Sequence, residues 1–368
     1  MKKVLIFYPY INTYGGIEET IILLSKSISQ RKLQPVILCF SNKLKIQKYS
    51  KYLEVIELGN ENYIKKIIKL KLFLKAFKKN YQGHALFYSY KAAFFAALIN
   101  FKDYVLHLDD PLSLLNQNNS SNKKSLFSAL RKCIVHVINK RGIQNAIVRL
   151  TQTRRNAQEF FKDYDTKFKV AYHGVSLDKI YLNKKKLINK KKLTLISISR
   201  LETSKNIEWI IYGLNQLLNI NKIYKYYKKI NLFIVGDGPE KSKLLNLVNK
   251  LKLNKSVIFT GFVTYRKKYK LFSRANFFLV PAVQGYGLPV LEGLVQKIPV
   301  VINKETRISE ILKNNPWVRI SRNNKKDFIK KMIAHVEKLR FKLPDNKYLN
   351  KLPSQNEWAE SIFRFCKW

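Results

Sequence analysis

The chain has 368 residues, enough for two domains of ordinary size, and 46% of them are hydrophobic, which excludes a disordered protein. Seventy Lys and Arg against 24 Asp and Glu give a formal charge of +46, an excess that favours anionic partners: phosphorylated substrates, an anionic membrane face or nucleic acid. Cys39, Cys133 and Cys366 are odd in number and widely spaced, which speaks against a disulfide framework and a zinc site and for a reducing compartment.

Lys2 and Lys3 precede only a short apolar run ending at Tyr10, with no small-residue cleavage site, so this stretch reads as a first strand and not as a signal peptide. Gly15 and Gly16 follow, then Ile17, Ile21, Leu24 and Ile28 at helical spacing: a glycine loop at a helix N-terminus, without the GxGxxG spacing of a dinucleotide fingerprint. Residues 35–40 and 54–58 are strand candidates. Residues 62–79 predict a helix with Ile64, Ile67, Leu70, Leu74 and Phe77 inward and Lys65, Lys69 and Lys79 largely opposite. Two readings fit it, a packed helix with a solvated lysine face and a helix lying on an anionic membrane. Residues 92–101 are apolar but too short to span a bilayer.

Residues 84–89 and 103–108 read as strands. His107, Asp109 and Asp110 sit at the end of the second, on the side where parallel sheets bind ligands. A polar loop over 116–124 leads to a helix with Leu126, Leu130, Ile134, Val137 and Ile138 on one face. A strand over 146–150, a helix over 151–161 and a strand over 169–172 close the first half. Asp163 and Asp165 spell DxD, but no third carboxylate is near and no metal site is expected. The Lys- and Asn-rich stretch 182–192 reads as a linker.

The β and α pattern then restarts. A strand over 193–199 ends at Arg200, and Lys205 precedes a helix marked by Ile207, Ile210, Ile211 and Leu214. The strand over 232–235 runs into Gly236, Gly238 and Pro239, and the strand over 257–260 into Gly261, Phe262 and Val263. The richest stretch is PAVQGYGLPVLEG, Pro281 to Gly293. A buried strand over 276–280 enters it, Gly285 and Gly287 permit a tight turn, and a helix begins near Leu288 with Pro289 in its first turn. Backbone N–H groups at such a helix start bind phosphate, and Glu292 is placed to hold a hydroxyl of the same ligand. Strand 299–302 and helices over 308–312, 327–339 and 355–368 complete the chain.

Taken in order, these motifs resemble the retaining glycosyltransferases of the GT-B fold, family 4 type, over nearly the whole chain: Gly15-Gly16-Ile17-Glu18, the His107 region, His173-Gly174-Val175, Ser199-Arg200-Leu201 with Lys205, Gly236-Asp237-Gly238-Pro239, Gly261-Phe262-Val263 and the block to Glu292. The resemblance implies an α/β protein of two Rossmann-like domains facing a central cleft: 1–180 for the acceptor, a linker 181–192, 193–350 for the nucleotide sugar, and 351–368 as a helix returning to the first domain. It implies that Arg200 and Lys205 neutralise the departing diphosphate, Gly16 faces the distal phosphate and Glu292 holds the ribose. Gly236, Gly285 and the Gly287, Leu288, Pro289, Val290 backbone then line the donor, Val263 borders the base, and His107 lines the sugar pocket. Where the family carries the first Glu of its E-x7-E motif this chain has Gln284, which keeps hydrogen bonding and loses the charge.

The activity implied is transfer of a sugar from a nucleotide-diphosphate sugar to a glycan or lipid-linked acceptor, in bacterial cell-surface polysaccharide synthesis such as lipopolysaccharide or capsule. No cofactor or metal is required in that expectation, because two cations and a helix terminus serve the diphosphate. The expected location is cytoplasmic, with peripheral contact to the inner membrane face as an extension. The rival readings are a weak or inactive homologue acting as a scaffold in glycan assembly, prompted by Gln284, another GT-B enzyme such as an epimerase or phosphorylase, and a basic nucleic-acid-binding protein, for which no helix-turn-helix, zinc or RNP pattern is found.

Overall fold

The structure, a computed structural model, describes residues 1–115, 126–175, 192–340 and 342–368. The polar loop over 116–124 and the linker over 181–192 lie outside the described residues, except Lys192, which opens a strand. Two compact units are present. Met1–Leu112, Asn119–His173 and Ser354–Trp368 form the first, and Gly174–Pro353 the body of the second. The division falls at His173/Gly174, before residue 180, and the Val175 N–H bonds the Pro353 carbonyl at 3.3 Å within the second unit.

The first unit holds a seven-stranded parallel sheet: β1 Lys2–Phe7, β2 Leu33–Cys39, β3 Glu54–Glu57, β4 Ala85–Tyr88, β5 Tyr104–His107, β6 Val148–Thr151 and β7 Lys169–Val170, in the order 3-2-1-4-5-6-7. The second holds six parallel strands: β8 Lys192–Ile198, β9 Lys229–Val235, β10 Val257–Gly261, β11 Phe277–Val280, β12 Val300–Asn303 and β13 Val318–Ser321, in the order 10-9-8-11-12-13. Each sheet starts in its middle, builds outwards, then reverses and builds the other way. This is the doubly wound Rossmann arrangement, whose ligands sit past the carboxyl ends of the strands at the reversal. The reversal lies between β1 and β4 in one unit and between β8 and β11 in the other.

Both strand faces are covered, so the strands read as continuous apolar runs: Val4, Leu5, Ile6 and Phe7 in β1, and all of β11, are buried. On one side of the first sheet pack the helices Tyr63–Lys75, Tyr90–Ile99 and Leu126–Asn145, through Leu70, Leu74, Ala92, Phe95 and Ile143. Helix Tyr63–Lys75 departs from its sequence reading. Ile64 is exposed, and Lys66 turns inward with its ammonium 5.3 Å from the Tyr10 ring and 5.8 Å from that of Phe40. The aromatic faces and the Tyr10 hydroxyl, at 3.3 Å, receive the charge that burial would otherwise strand.

On the other side of that sheet lie helices Gly16–Gln30 and Gln355–Cys366. The latter inserts Trp358, Ile362, Phe363 and Cys366 among Val4, Ile6, Ile21 and Leu24. Ser354 and Glu357 form a capping box at its start. In the second unit, helices Ile207–Leu218 and Lys325–Leu339 pack against each other through Ile210, Leu214, Phe328 and Met332 in one core with Leu193, Leu195, Ile230 and Leu232 of β8 and β9, and Lys325–Leu339 also lies on β12 and β13. Asp165 of the DxD pair is the left-handed C-cap of helix Arg154–Tyr164.

Candidate functional site

In the second unit the loops after β8 and β11 meet where the sheet reverses. Three hydrogen bonds join them: Val283 N–H to the Ser204 carbonyl at 2.8 Å, Asn206 Nδ2 to the Pro281 carbonyl at 3.0 Å, and Lys205 Nζ to Gln284 Oε1 at 3.0 Å. Asn206 adopts the left-handed conformation, φ 51°, which turns the chain from the short helical turn Thr203–Lys205 into helix Ile207–Leu218. Lys205 and Gln284, 79 positions apart, are thus brought together by the fold. Arg200 stands at the same end of β8. Its guanidinium is 80% exposed and pairs with Glu202.

Gly287 caps the next helix, Leu288–Val295, with φ 85°. A side chain there would be strained and would meet Thr306 Cγ2 at 2.7 Å and Gln284 Nε2 at 2.9 Å, so the glycine keeps room for the Gln284 amide. Gly285 does not share this conformation. It is buried and bonded through its carbonyl to the Arg307 N–H at 2.9 Å, so the turn requires only one of the two expected glycines. The stretch of backbone expected to meet a phosphate is also narrower than the sequence implies. Pro289 has no N–H, the Val290 N–H is taken by the Gly287 carbonyl at 2.9 Å, and the Val290 side chain is wholly in the core. Leu288 is left as the N–H donor the first turn can offer.

Glu292 is buried but not bare. Lys268 Nζ lies 2.8 and 3.0 Å from its two oxygens, and the Tyr269 hydroxyl donates to it at 3.2 Å. Neither Lys268 nor Tyr269 was singled out from sequence. Both come from helix Tyr265–Arg274, whose start is capped by Thr264. Gly236 has φ 128°, and a Cβ on it would lie 1.9 Å from the Ser199 carbonyl oxygen, so glycine there lets the turn after β9 close on the turn after β8. Asp237 accepts from the Gly238 N–H at 2.9 Å and from Lys241 at 2.8 Å, and the Lys241 bond holds its carboxyl below the usual range. Val263, half-buried, follows exposed Phe262 just past β10.

In the first unit the reversal gathers acids and aromatic hydroxyls. Gly16 opens helix Gly16–Gln30 with nothing within 4 Å of where a Cβ would stand. Glu18, in the same first turn, accepts from the Tyr8 hydroxyl at 2.9 Å. Burial pushes its carboxyl up, against the pull of the nearby Gly15 and Glu18 N–H groups. Asp109 accepts from Tyr88 at 3.2 Å and from Gln152 at 2.6 Å, and its carbonyl accepts from Asn156 at 2.5 Å. His107 is fully buried at the end of β5. It stacks on Tyr88 with ring centres 4.6 Å apart, and its Nδ1 lies 3.2 Å from Asp109 Oδ1. Asp109, unassigned from sequence, is therefore the side chain that faces His107. His173 is buried with its ring 4.4 Å from that of Trp358. Among the described residues no helix is long and apolar enough to cross a membrane.

Residues 178–348 match the family described as glycosyl transferases group 1. The chain is 28% identical over 120 residues to an alpha-monoglucosyldiacylglycerol synthase of Streptococcus pneumoniae, covering 32% of this chain and 26% of that protein. It is 39% identical over 74 residues to the O-antigen biosynthesis glycosyltransferase WclY of Escherichia coli, covering 20% of each. The chain thus spans about a quarter or less of the length of these two relatives. Over nearly its whole length it is similar in fold to Anabaena HepE in complex with UDP-glucose: TM-score 0.70, 17% identity, 99% of this chain and 96% of that one.

Proposed function

Residues 178–348 belong to the glycosyl transferases group 1 on a chain with the GT-B fold, and from that premise we propose that the protein is a retaining glycosyltransferase. It moves a sugar from a nucleotide-diphosphate sugar to a glycan or lipid-linked acceptor in bacterial cell-surface polysaccharide synthesis. Its place in this reading is the cytoplasm, with peripheral contact to the inner face of the membrane. The observation that carries the reading is the Lys205–Gln284 contact at the reversal of the second sheet, with Arg200 at the same end of β8 and Glu292 held by Lys268 and Tyr269. Similarity to glycolipid and O-antigen enzymes supports the acceptor class, and similarity to HepE supports the donor class.

In this mechanism the donor's C1–O bond to the diphosphate breaks as negative charge grows on the leaving oxygen. Arg200, Lys205 and the Leu288 N–H stabilise that charge where it develops. The acceptor oxygen bonds C1 on the same face, and its proton passes to the departing phosphate. With two cations supplied by side chains, the reaction runs without a metal ion, and chelation leaves the rate unchanged.

The test is a thermal-shift screen against UDP-, GDP- and ADP-sugars, followed by transfer with the donor that binds and analysis of the product's anomeric configuration. Binding in excess of Kd raises the midpoint by mass action. A product with inverted configuration, or no stabilisation by any donor, rejects the reading. Gln284 favours one second reading, a scaffold that binds donor without turnover. Stabilisation by a donor with no transfer and no hydrolysis identifies it.

A further inference from the structure

The loop after β11 is laid against a second loop that has no role so far. The chain leaving β12 at Asn303 runs beside it, and Thr306 pairs with Gln284 as an isolated parallel bridge. One carbonyl after another of the β11 loop is drawn to this neighbour. Pro281 accepts from Asn303 Nδ2 at 3.0 Å, and Ala282 from the Thr306 hydroxyl at 2.8 Å. Gly285 accepts from the Arg307 N–H at 2.9 Å, and Tyr286 from the Ile308 N–H at 3.1 Å. The neighbour is itself braced: Asn303 Oδ1 accepts from the Glu305 N–H at 3.1 Å, and the Asn303 carbonyl from the Thr306 N–H at 2.9 Å.

Drawing the carbonyls to one side decides where the N–H groups go. In a trans peptide the N–H points opposite to the preceding carbonyl, and no cis peptide is present among the described residues. With the Tyr286 carbonyl on Ile308, the Gly287 N–H therefore points away from the second loop. The N–H groups of Gly285, Gly287 and Leu288 meet no acceptor among the described residues. Such a row of backbone N–H groups around a left-handed residue, here Gly287, suits an anion.

One side chain reaches both ends of this turn. Thr306 is wholly buried; its hydroxyl serves the Ala282 carbonyl, and its methyl lies 2.7 Å from where a Cβ on Gly287 would stand. We propose that Thr306 is a positioning residue, whose hydroxyl holds residues 282–287 in the shape that presents the Gly285 and Gly287 N–H groups to a diphosphate. The proposal rests on the reading that this turn meets the diphosphate of a donor. Thr306 acts through Ala282 and Gly287: without its hydroxyl the buried Ala282 carbonyl loses its donor, and the turn relaxes to recover one.

The test compares Thr306→Val, which removes the hydroxyl and keeps a methyl against Gly287, with Thr306→Ser, which keeps the hydroxyl. Calorimetric titration with inorganic pyrophosphate and initial rates of sugar transfer are measured at a temperature where circular dichroism shows all three proteins folded. Thr306→Val is expected to bind pyrophosphate roughly tenfold more weakly and to lose roughly tenfold in kcat, as for one misaimed donor to an anion. Thr306→Ser is expected to stay within about threefold of wild type in both, since the hydroxyl is retained. Hydrogen exchange over 282–288 is faster in the valine variant and unchanged in the serine variant. A residue serving only the fold would lower the unfolding midpoint and leave affinity and kcat alone. The proposal is overturned if Thr306→Val binds pyrophosphate like wild type, if Thr306→Ser falls as far as Thr306→Val, or if wild type does not bind pyrophosphate. Weakened binding in Thr306→Val alone, with no sugar transfer by wild type, supports the positioning role and rejects the transferase reading.

Discussion

Lys205 Nζ donates to Gln284 Oε1 at 3.0 Å and so ties the loop after β8 to the loop after β11, across the reversal of the second sheet. The amide accepts from the ammonium without neutralising it, as a carboxylate would, so the lysine charge stays available to an anion. The second nitrogen face of Gln284 lies against Gly287, the cap of the following helix. One side chain therefore touches both the cation and the turn that caps the next helix, and its chemistry sets how much positive charge Lys205 presents.

Gln284→Glu is expected to lower turnover with the native donor or to switch donor preference, because a carboxylate there draws on the Lys205 charge. Gln284→Ala is expected to lose rate through a loosened loop. Initial rates across several donors decide it: if both variants match wild type, residue 284 lies outside the sugar site.

Arg200→Ala and Lys205→Ala are each expected to cut kcat by about 100- to 1,000-fold, the effect of removing one preorganised donor to a developing anion. Arg200 is highly exposed, so its loss leaves the unfolding midpoint unchanged. Lys205→Ala also removes a loop tie and lowers the midpoint slightly. Rates within a few-fold of wild type reject the assignment.

Glu292→Ala is expected to raise KM for the nucleotide sugar more than it lowers kcat, since a ribose contact is the same in ground and transition states. It also takes this carboxylate from half-buried Lys268, a loss of about 1.5–3 kcal/mol in stability. The double variant Glu292→Leu/Lys268→Met restores stability and leaves KM high. Recovery of KM together with stability shows that the carboxylate serves only the fold.

His335 gives the second unit a defined acid sensitivity. It is buried, its Nε2 lies 3.3 Å from the Trp317 carbonyl, and burial, helped by Arg319 and Lys338, holds its pKa down at about 4. The unfolded chain binds that proton near pH 6.5, so stability is complete above about 6.5 and declines as pH falls towards 4. The loss by pH 4.5 is about 2–3 kcal/mol. Denaturant titrations at pH 7 and 4.5 measure it, and His335→Leu removes that part of the pH slope.

Much of the second unit is legible in sequence because its signals are local. The turn at Gly287, the cap after Lys205 and the apolar runs of β8 and β11 each need only neighbouring residues. Gln284 stands out because one position breaks an otherwise complete pattern. The Lys268–Glu292 pair was not legible: it joins two helices 24 positions apart, and a lysine in the basic run 266–270 carries no mark of being the buried one. Helix Tyr90–Ile99 was hidden for the opposite reason, since a helix buried among strands and helices is apolar almost all round and loses its period. Strand β13, four residues with Arg319 among them at the sheet edge, is too short to announce itself. Helix Tyr63–Lys75 was turned partly the wrong way because pattern reading sets lysines outside and has no means of foreseeing three aromatic rings around Lys66.

The position of helix Gln355–Cys366 has a consequence for how the protein comes into being. The first unit's sheet is synthesised early, yet one wall of its core is supplied by Trp358, Ile362 and Phe363. The Trp368 indole closes on the His84 carbonyl from 284 positions away, and Gly83 leaves no room for any side chain beside the Cys366 carbonyl. Until Ser354–Trp368 has left the ribosome, Val4, Ile6, Ile21 and Leu24 lack the part of their cover that Trp358, Ile362 and Phe363 supply. The amino-terminal unit therefore waits, open on one side, while the whole second unit is made and folds. The first unit's core is thus complete only with the last residues of the chain, so a nascent chain stalled before Ser354 presents chaperones and proteases with an unfinished hydrophobic wall.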